Sequence, residues 1–546
     1  MTASYIENPF NLTGDSSNSV YGVAKTGGRA DKKSSVAQYT PQQASAIILQ
    51  TPIRYCNNPE LHLEEACEKY IPRACYEEPD AYQIRLTFAT SSFEPFYRSL
   101  RTLAVGTALR KPITVSDETA SDAWQALAEN ITLEGDNLTT FAKKLLDASI
   151  DGGWAGILID YPSVSEPLNL AQERALGLRP YFCMIPMQDV LGWQSTTSTV
   201  KIGDKAQYGT RLTQLRIRDT FTAQDPADEF VQYTLPAVRV YDQQDEGSLV
   251  QYRLYVQRGA EEGKTPDWVI EEQGTLSINT IPFVPCYSTT PTGFMEARPP
   301  MLDIARLNLA HWQASADLAH SLHLTATPTL CITGVQNIGD GDDISTSPDH
   351  SLVLADPSAD AKWISASTAG AETMIKRLQT LEVAMAELAP VQMQRKTTTG
   401  VEAAAAKRID RAQSDSVLST MVSQLEQSLN NALAIAALYL QEPPIQLALS
   451  RDFIPGGLES AEIRELVNMQ LAGLISHQTL LRKLQLEEYF ELDEWNVEDE
   501  LDRVALEEPI VNAADLPDDP DEDDGDDGNE TIAPEDSPQL DGTAAQ

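Results

Sequence analysis

The strongest constraint on the fold is a run of three helical patterns between residues 299 and 440. The first follows Pro299-Pro300, and proline suits a helix start because its missing N–H would have no partner in the first turn. Apolar residues then recur at spacings of three and four and define one stripe: Leu302, Ala305, Leu309, Trp312, Ala316, Ala319 and Leu322. Because Pro328 ends this pattern, we predict a helix over 299–324.

The second and third helical patterns are separated by a short polar link. The second occupies 369–390 and ends at Pro390, and the link covers 391–398. Thr399 and Glu402 then form a capping box, in which each side chain satisfies a free N–H of the first turn. Neither proline nor glycine interrupts the pattern from Glu402 to about Tyr439, which predicts a helix of about 60 Å.

The stretch from 46 to 298 mixes helical and strand patterns. Two amphipathic helices are marked by Phe93, Phe96, Tyr97, Leu100, Leu103 and Ala104, and by Leu138, Phe141, Leu145 and Ile150, the second closed by Gly152-Gly153. The segment 157–159 is short and apolar, as a buried strand would be. Between 180 and 290 the period falls to two, which predicts an antiparallel sheet with strands near 215–218, 238–241, 249–256 and 268–270.

The remaining segments are shorter or poor in apolar residues. Residues 1–45 have few large apolar groups, so we expect a flexible arm that is ordered only against neighbours. Residues 325–368 form a small insert with short apolar pieces, and the chain from 399 to 456 carries the long helix and returns to the body. Residues 457–511 are helical, and the acidic tail at 512–546 is predicted to be disordered.

Composition limits the classes of function. A chain of 546 residues is expected to form several structural units, and its net charge of -41 argues against wrapping nucleic acid through clustered Lys and Arg. The charge is compatible with a conduit, because a channel in which DNA slides gains from weak contact with phosphates. Solubility alone also accounts for such a charge.

The cysteines and the apolar runs indicate a protein that folds in a reducing cytoplasm. The six cysteines are dispersed without paired Cys-x-x-Cys motifs, which is typical of reduced thiols. The first residues have neither the basic start nor the apolar core of a signal peptide. No apolar run approaches 20 residues, so no membrane span is predicted.

The chemistry-bearing motifs are weak, and we predict no enzyme activity, no cofactor and no bound metal. The sequence contains no Gly-x-Ser-x-Gly elbow and no His-Glu-x-x-His helix. His320 and His323 share a helical face, with His311 further back, but packing explains such histidines more often than metal binding does. The aspartates at 340–343 resemble part of a calcium loop without its distal glutamate, and a solvated acidic turn is the simpler interpretation.

The order of helix, insert, helix, loop and long helix resembles the portal proteins of tailed double-stranded DNA bacteriophages. Further matches are Arg73-Ala-Cys75 leading to Tyr82 and Arg85, Arg110-Lys111-Pro112, the run from Gly152 to Pro162, and Arg179-Pro-Tyr181 leading to Trp193. The resemblance covers most of the chain and consists of many weak matches. It implies an α+β, multi-part phage-portal fold.

In that fold each segment has an expected role. The resemblance implies a mixed α/β wing at 46–298, stem helices at 299–324 and 369–390, a clip at 325–368, a tunnel loop at 391–398 and a helical crown at 457–511. It implies a homo-oligomeric ring, a dodecamer, at the portal vertex of the capsid in the virion, made in the host cytoplasm. The implied partners are double-stranded DNA passing through the channel, the terminase large subunit, a head-tail adaptor and the major capsid protein, with no membrane.

The link after Pro390 is the predicted DNA-contacting site. Its side chains could meet backbone phosphates without reading sequence: Gln392, Gln394, Arg395, Lys396, Thr397 and Thr398. An ordinary exposed turn before a capped helix explains the same residues. Two other classes also remain open, namely another minor virion structural protein and a cytoplasmic enzyme with a dispersed site.

Overall fold

A computed structural model describes most of the chain between Ser34 and Arg503. The described residues are 34–115, 121–162, 172, 176–202, 205–225, 228–243, 245–259, 267–326, 329–334, 360–364, 370–390, 404–451, 453, 460–486 and 500–503. The chain divides into two compact units, one ending at Ile454 and one beginning at Pro455. Helices and strands are mixed, in agreement with the predicted α+β class.

The helices of the first unit fall into two groups along the chain. The first group is α1 (Pro41–Asn57), α2 (Pro59–Tyr70), α3 (Pro79–Ser91), α4 (Phe96–Ala108), α5 (Asp122–Glu129) and α6 (Leu138–Gly152). The second is α7 (Leu302–Ala326), α8 (Ala371–Leu388) and α9 (Ala404–Leu440). None of the described helices combines the length and the apolarity that a bilayer crossing demands.

The strands of the first unit form four sheets within the described residues. They are β1 (Thr114–Val115), β2 (Trp154–Asp160), β3 (Tyr181–Pro186), β4 (Val190–Ile202), β5 (Lys205–Asp225), β6 (Asp228–Asp242), β7 (Gln251–Arg258), β8 (Asp267–Thr275), β9 (Phe283–Tyr287), β10 (Thr329–Thr333), β11 (Asp360–Ile364) and β12 (Leu447–Ala448). Two of these sheets, of three and of five strands, build the body between residues 154 and 287.

Local sequence sets both ends of α6. Asn137 caps the first turn, since its side-chain oxygen accepts a hydrogen bond from the Thr140 N–H at 2.8 Å. Gly153 follows the last turn with a left-handed φ of 81°, a conformation that favours glycine. A Cβ at Gly153 would lie 2.6 Å from the carbonyl oxygen of Ala297, so the close approach also requires glycine. The predicted helix end at Gly152-Gly153 is confirmed.

The three-stranded sheet has β2 at its centre, between β3 and β9, with both pairings antiparallel. Every residue of β2 except Asp160 is buried, which confirms the predicted buried strand at 157–159. Alternate residues face two different cores. Ile157 and Ile159 pack into the core formed with α6 and α9, whereas Trp154 and Leu158 pack toward the five-stranded sheet.

The five-stranded sheet follows chain order from β4 to β8 and is antiparallel throughout, as predicted. β5 pairs with β4 along 205–217 and with β6 along 214–225, so only a short middle segment is paired on both sides. Two ribbons therefore extend from this segment in opposite directions. The β5–β6 ribbon runs beyond β7 and leaves Phe230 87% exposed.

The predicted flexible arm at 1–45 is wrong for residues 34–45, and residues 1–33 lie outside the described part of the chain. Tyr39 is buried, and its hydroxyl donates to the carbonyl oxygen of Gln188 at 3.0 Å. The Thr40 N–H donates to the carbonyl oxygen of Leu191 at 2.9 Å. The composition of the segment did not reveal this contact, because one buried aromatic ring can order a segment that is otherwise poor in apolar residues.

The long helix α9 returns the chain to the body. Its residues from Leu418 to Ala437 include a buried stripe that packs on α4, β2 and β9. Asn430 then ties the following segment back to the helix, accepting from the Leu447 N–H at 2.8 Å and donating to the Leu447 carbonyl oxygen at 3.1 Å. β12, which holds Leu447, pairs with β1. The predicted capping box at Thr399 and Glu402 lies outside the described residues.

The second unit contains α10 (Ser460–Leu471) and α11 (His477–Leu486). Ser476 caps α11 as predicted, because its hydroxyl accepts a hydrogen bond from the Thr479 N–H at 3.1 Å. Leu480, Leu481 and Leu484 are buried, whereas Leu471 and Leu474 are exposed. The helical prediction for 457–511 therefore holds for its described residues, while the tail at 512–546 lies outside them.

Candidate functional site: the helix pair and its hairpin

The helix pair consists of α7 and α8, which pack side by side and are connected through the hairpin of β10 and β11. Both helices were predicted from apolar spacing, and they begin at Leu302 and Ala371, three and two residues into the predicted segments 299–324 and 369–390. His311 of α7 is buried between the two helices, with its Nε2 3.7 Å from Glu382 Oε1 of α8.

The inner half of α7 is bound to the body by hydrogen bonds from buried side chains. The Trp312 indole N–H donates to the carbonyl oxygen of Ala89 at 2.7 Å. Asn308 donates to the carbonyl oxygen of Glu94 at 2.8 Å and accepts from the Tyr97 N–H at 3.0 Å. Since these backbone groups lie just outside or at the ends of α3 and α4, the bonds also satisfy groups that the helices cannot.

The outer half of the helix pair is not covered by the body. The predicted apolar stripe is buried as far as Ala316, but Leu322, six residues further, is 47% exposed. Leu324 of α7 and Ile375 of α8 are exposed in the same region. A stripe that continues past the body in this way leaves apolar surface for another partner.

The hairpin carries further exposed apolar side chains. In its register Leu330 faces Trp363 and Thr329 faces Ile364. Trp363 is 58% exposed and Ile364 is exposed. The predicted apolar pieces at 330–332 and 363–364 thus lie on adjacent strands and meet at Leu330 and Trp363, while the piece at 352–354 lies outside the described residues.

The two sides of α7 contact different elements. His311 and His320 are nine residues apart, which at about 100° per residue places them on opposite faces. His311 faces α8, whereas the rings of His320 and His323 lie 6.1 and 4.9 Å from the ring of Phe88 in α3. These histidines thus contact Glu382 on one side of α7 and Phe88 on the other, and the described part of the chain has no group of three ligating side chains.

The predicted DNA-contacting residues Gln392, Gln394, Arg395, Lys396, Thr397 and Thr398 lie outside the described residues. The structure describes the chain up to Pro390 and again from Ala404, where α9 begins. Contact between this segment and DNA remains a prediction.

A cavity of about 880 Å³ lies between α1, α2, α6 and β3. Its lining carries the cations Arg54, Lys69, Lys144 and Arg218 and the carboxylates Glu65, Glu68, Asp147 and Asp151. Arg54 contacts Glu65 at 2.6 Å, and Lys144 contacts Asp136 at 2.6 Å. With its charges balanced, the cavity has no excess of either sign to select an ionic ligand.

A network of five polar side chains lies beside this cavity, and three of them, Asn57, Asp147 and Asp151, line it. Arg101 donates to Asp151 at 2.5 Å and contacts Asp147 at 2.8 Å. Asp151 also accepts from the Tyr97 hydroxyl at 2.8 Å and from the Asn57 amide at 2.6 Å. Burial raises the pKa of Asp151 to about 6, although Arg101 acts in the opposite direction. The network joins α1, α4 and α6.

We expect Asp151→Asn to remove a pH dependence of stability. The folded chain holds a proton on Asp151 up to about pH 6, whereas the unfolded carboxyl titrates near its model value of 3.8. The free energy of unfolding of the wild type therefore falls as pH rises from about 4, whereas that of the variant does not change through this group. Between pH 4 and pH 7 the difference between the two proteins should shift by about 2–3 kcal/mol in favour of the variant. Denaturant unfolding of both proteins at pH 4, 5, 6 and 7 measures this, and a difference that does not change with pH would contradict it.

The residues that carry the sequence resemblance hold loops of the body together. Arg179 donates to the carbonyl oxygen of Asn130 at 2.5 Å, and Asp160 pairs with Arg239 at 3.1 Å. Arg85 pairs with Glu77 at 2.9 Å. These contacts explain the residue types structurally, without assigning any of them to DNA.

Comparison with known families gives one match and one negative result. The family model described as Domain of unknown function (DUF4055) matches residues 300–440. This range begins just before α7 and ends at the last residue of α9, so it coincides with the helix pair, the insert, the link and the long helix. No curated protein matches the chain.

Among solved structures, the chain is similar to components of gene transfer agent (GTA) particles. A chain of the native particle's virion has a TM-score of 0.37 and 14% identity over 76% of this chain and 95% of that one. A chain of the native particle's neck, computed with C12 symmetry, has a TM-score of 0.37 and 13% identity over 74% of this chain and 93% of that one. A chain of the empty particle's neck, computed with C6 symmetry, has a TM-score of 0.36 and 14% identity over 76% of this chain and 95% of that one. Scores of this size establish neither the fold nor the function of this chain.

Proposed function

We propose that this chain is a structural subunit of a phage-like virion, and more specifically a portal protein. Copies would form a ring at one capsid vertex, which serves as the channel for DNA and as the docking platform for the packaging motor and the head-tail adaptor. The observation that carries the proposal is the helix pair, which is fixed to the body at its inner half and exposes apolar residues along its outer half.

A ring explains why the outer half of the helix pair is apolar. In a closed ring each copy contacts the next through two different surfaces related by one rotation. The side chains of Leu322, Leu324 and Ile375 would then be covered by neighbouring copies instead of water. A monomeric protein gains nothing from leaving such residues exposed on paired helices.

The order of elements supports the same proposal. The resemblance noted in the sequence requires two helices around an insert, a loop and then a long helix. The described parts follow this order: α7, the β10–β11 hairpin, α8 and the 37-residue α9, with the predicted tunnel loop between Pro390 and Ala404. The hairpin occupies the position expected for the clip, and the net charge of -41 suits a channel that does not hold DNA tightly.

Imaging the purified full-length chain tests the ring. Negative-stain micrographs should show end-on rings with a central hole, and mass photometry should give about 720 kDa for twelve copies of the 59.9 kDa chain. A species of 59.9 kDa at all concentrations, or a small oligomer without a hole, would rule out a portal and favour another virion component.

The tunnel-loop prediction needs a separate test of DNA handling. Arg395→Ala with Lys396→Ala should lower DNA packaging or retention about tenfold or more while rings still form, because two positive contacts per copy are lost around the whole channel. Packaging of labelled DNA measures this. As a control, Lys143→Ala with Lys144→Ala removes the same charge from α6 and should leave packaging unchanged. If the two double variants packaged the same amount of DNA, the assignment of the loop would be refuted.

A further inference from the structure

The five-stranded sheet carries two ribbons of two strands each, which extend beyond its middle in opposite directions. The ribbon of β4 and β5 covers residues 195–213, and the ribbon of β5 and β6 covers residues 218–236. Both contain part of the 21-residue β5, so at about 3.3 Å per residue their turns lie roughly 65 Å apart. Groups at the two turns are therefore too far apart to meet within one chain.

The β4–β5 ribbon is positively charged, and we call it the basic ribbon. Residues 195–213 include Lys201, Lys205 and Arg211 and one acidic residue, Asp204, which gives a net charge of +2 in a chain whose net charge is -41. Both lysines belong to the turn end of the ribbon, since Lys205 is the first residue of β5 and Lys201 is the last but one of β4. A segment with surplus positive charge at this end is suited to an acidic partner.

The β5–β6 ribbon is negatively charged, and we call it the acidic ribbon. At its base Arg218 and Asp219 cancel, and they pair with Asp189 and Arg239. The rest of the ribbon has neither lysine nor arginine, so its net charge of −3 lies at the turn end, on three carboxylates: Asp225, Asp228 and Glu229.

The acidic ribbon also has an apolar face that the body covers only at the base. The register places Phe221 opposite Leu235 and Ala223 opposite Tyr233, so these four side chains share one face. Phe221 and Leu235 pack against a small core formed by β6 and β7, whereas Tyr233, one pair nearer the turn, is exposed. Because a two-stranded ribbon is only marginally stable in water by itself, this face favours contact with a partner.

Both ribbons have strand edges without a neighbour among the described strands. β5 pairs only with β4 along 205–213 and only with β6 along 218–225, and β7 meets β6 only from Ala237 onward. Edges of this kind can accept a strand from another chain, because one row of N–H and C=O groups is left unpaired. Each ribbon thus offers hydrogen-bonding groups as well as charge.

We infer that the acidic ribbon of one copy lies alongside the basic ribbon of the next copy. This inference rests on the proposed ring and adds to it a lateral contact between the sheets. Acidic against acidic or basic against basic would repel, so the charges favour a head-to-tail arrangement of copies. Each copy then uses two different surfaces, one at each end of β5, as a closed ring requires.

The test reverses the charge of each ribbon in the full-length chain. One variant carries Asp228→Lys with Glu229→Lys, and the other carries Lys201→Glu with Lys205→Glu. In each variant both ribbons have the same sign, so the concentration at half assembly in mass photometry should rise about tenfold or more. An equimolar mixture of the two variants should assemble like wild type, because every contact between unlike copies again joins opposite charges.

Glu129→Lys with Glu134→Lys is the matched control. It makes the same change of net charge as the acidic-ribbon variant, at two exposed positions at and after the end of α5, outside the sheet. Its assembly should match wild type. The melting temperatures of all three isolated protomers should also match wild type, because exposed charges away from buried partners change stability little.

Carbodiimide coupling of wild-type rings locates the contact without any substitution. It joins a lysine directly to a carboxylate, so mass spectrometry should find Lys201 or Lys205 linked to Asp225, Asp228 or Glu229, a link that one chain cannot form with itself. Wild-type rings together with normal assembly of either ribbon variant, with no rescue in the mixture, or without these links, overturn the inference alone. Absence of wild-type rings overturns the proposed function.

Discussion

Trp312→Ala should destabilise the first unit by about 3–5 kcal/mol. The Trp312 side chain is completely buried, its ring packs edge-on against Phe93 at 5.8 Å, and its indole N–H bonds to the carbonyl oxygen of Ala89. The variant loses that apolar contact, leaves a cavity and removes one hydrogen bond to the Ala89 carbonyl oxygen, which keeps its contact with the Ser92 hydroxyl at 3.2 Å. Denaturant unfolding followed by intrinsic fluorescence measures the loss.

Leu322→Ala is the informative control for Trp312→Ala. Leu322 belongs to the same apolar stripe, but it is largely exposed, so its truncation should change protomer stability by no more than about 0.5 kcal/mol. If the two variants unfolded at similar denaturant concentrations, the inner half of α7 would not be the half that is fixed to the body. The distinction between a bound inner half and an exposed outer half of the helix pair would then be wrong.

Arg101→Met should destabilise the same unit by about 3–5 kcal/mol at pH 8. Methionine preserves most of the apolar stem but leaves the carboxylates of Asp151 and Asp147 without their cation. At pH 5 the loss should be clearly smaller, because burial already favours the protonated form of Asp151 and a neutral carboxyl needs no cation. Unfolding free energies at the two pH values provide the measurement.

Adding Asp151→Asn to Arg101→Met separates charge from packing. If the uncompensated carboxylate causes most of the loss, the double variant should recover part of the stability at pH 8 and little at pH 5. Equal losses for the single variant at both pH values would show that the arginine stem and its hydrogen bonds, and not its charge, stabilise the junction of α1, α4 and α6.

Much of the fold could be predicted from local patterns, and the errors have a physical cause. The period of 3.6 identified α7 and α8, the period of two identified the five-stranded sheet, and Gly152-Gly153 marked the end of α6. Residues 34–45 were misjudged because their order depends on tertiary contacts, such as those of Tyr39 and Thr40, and on no repeated pattern. The pairing register of β5 could not be predicted either. Alternation shows which residues of β5 share a face, but it does not show that β4 pairs with 205–217 and β6 with 214–225.

The candidate site was only partly predictable. Spacing placed Leu322 on the stripe of α7, but spacing does not tell where the body stops covering that stripe. Outside that site, the sequence pattern did not indicate the exposed ring of Tyr76 in the loop between α2 and α3, because a positive φ in a residue other than glycine leaves no mark in the sequence. Tyr82 and Arg85 gave a hint, as they were noticed for their resemblance and turned out to support that loop.

The 37-residue helix α9 also has a mechanical consequence. It is a rod of about 55 Å whose first turn follows directly on the segment after Pro390, and whose later turns are clamped in the body. Ser428 donates from this rod to the carbonyl oxygen of Pro285 in β9 at 3.2 Å. In the proposed ring, a force on the first turn of α9 would therefore be transmitted along this rod to the three-stranded sheet that contains β9.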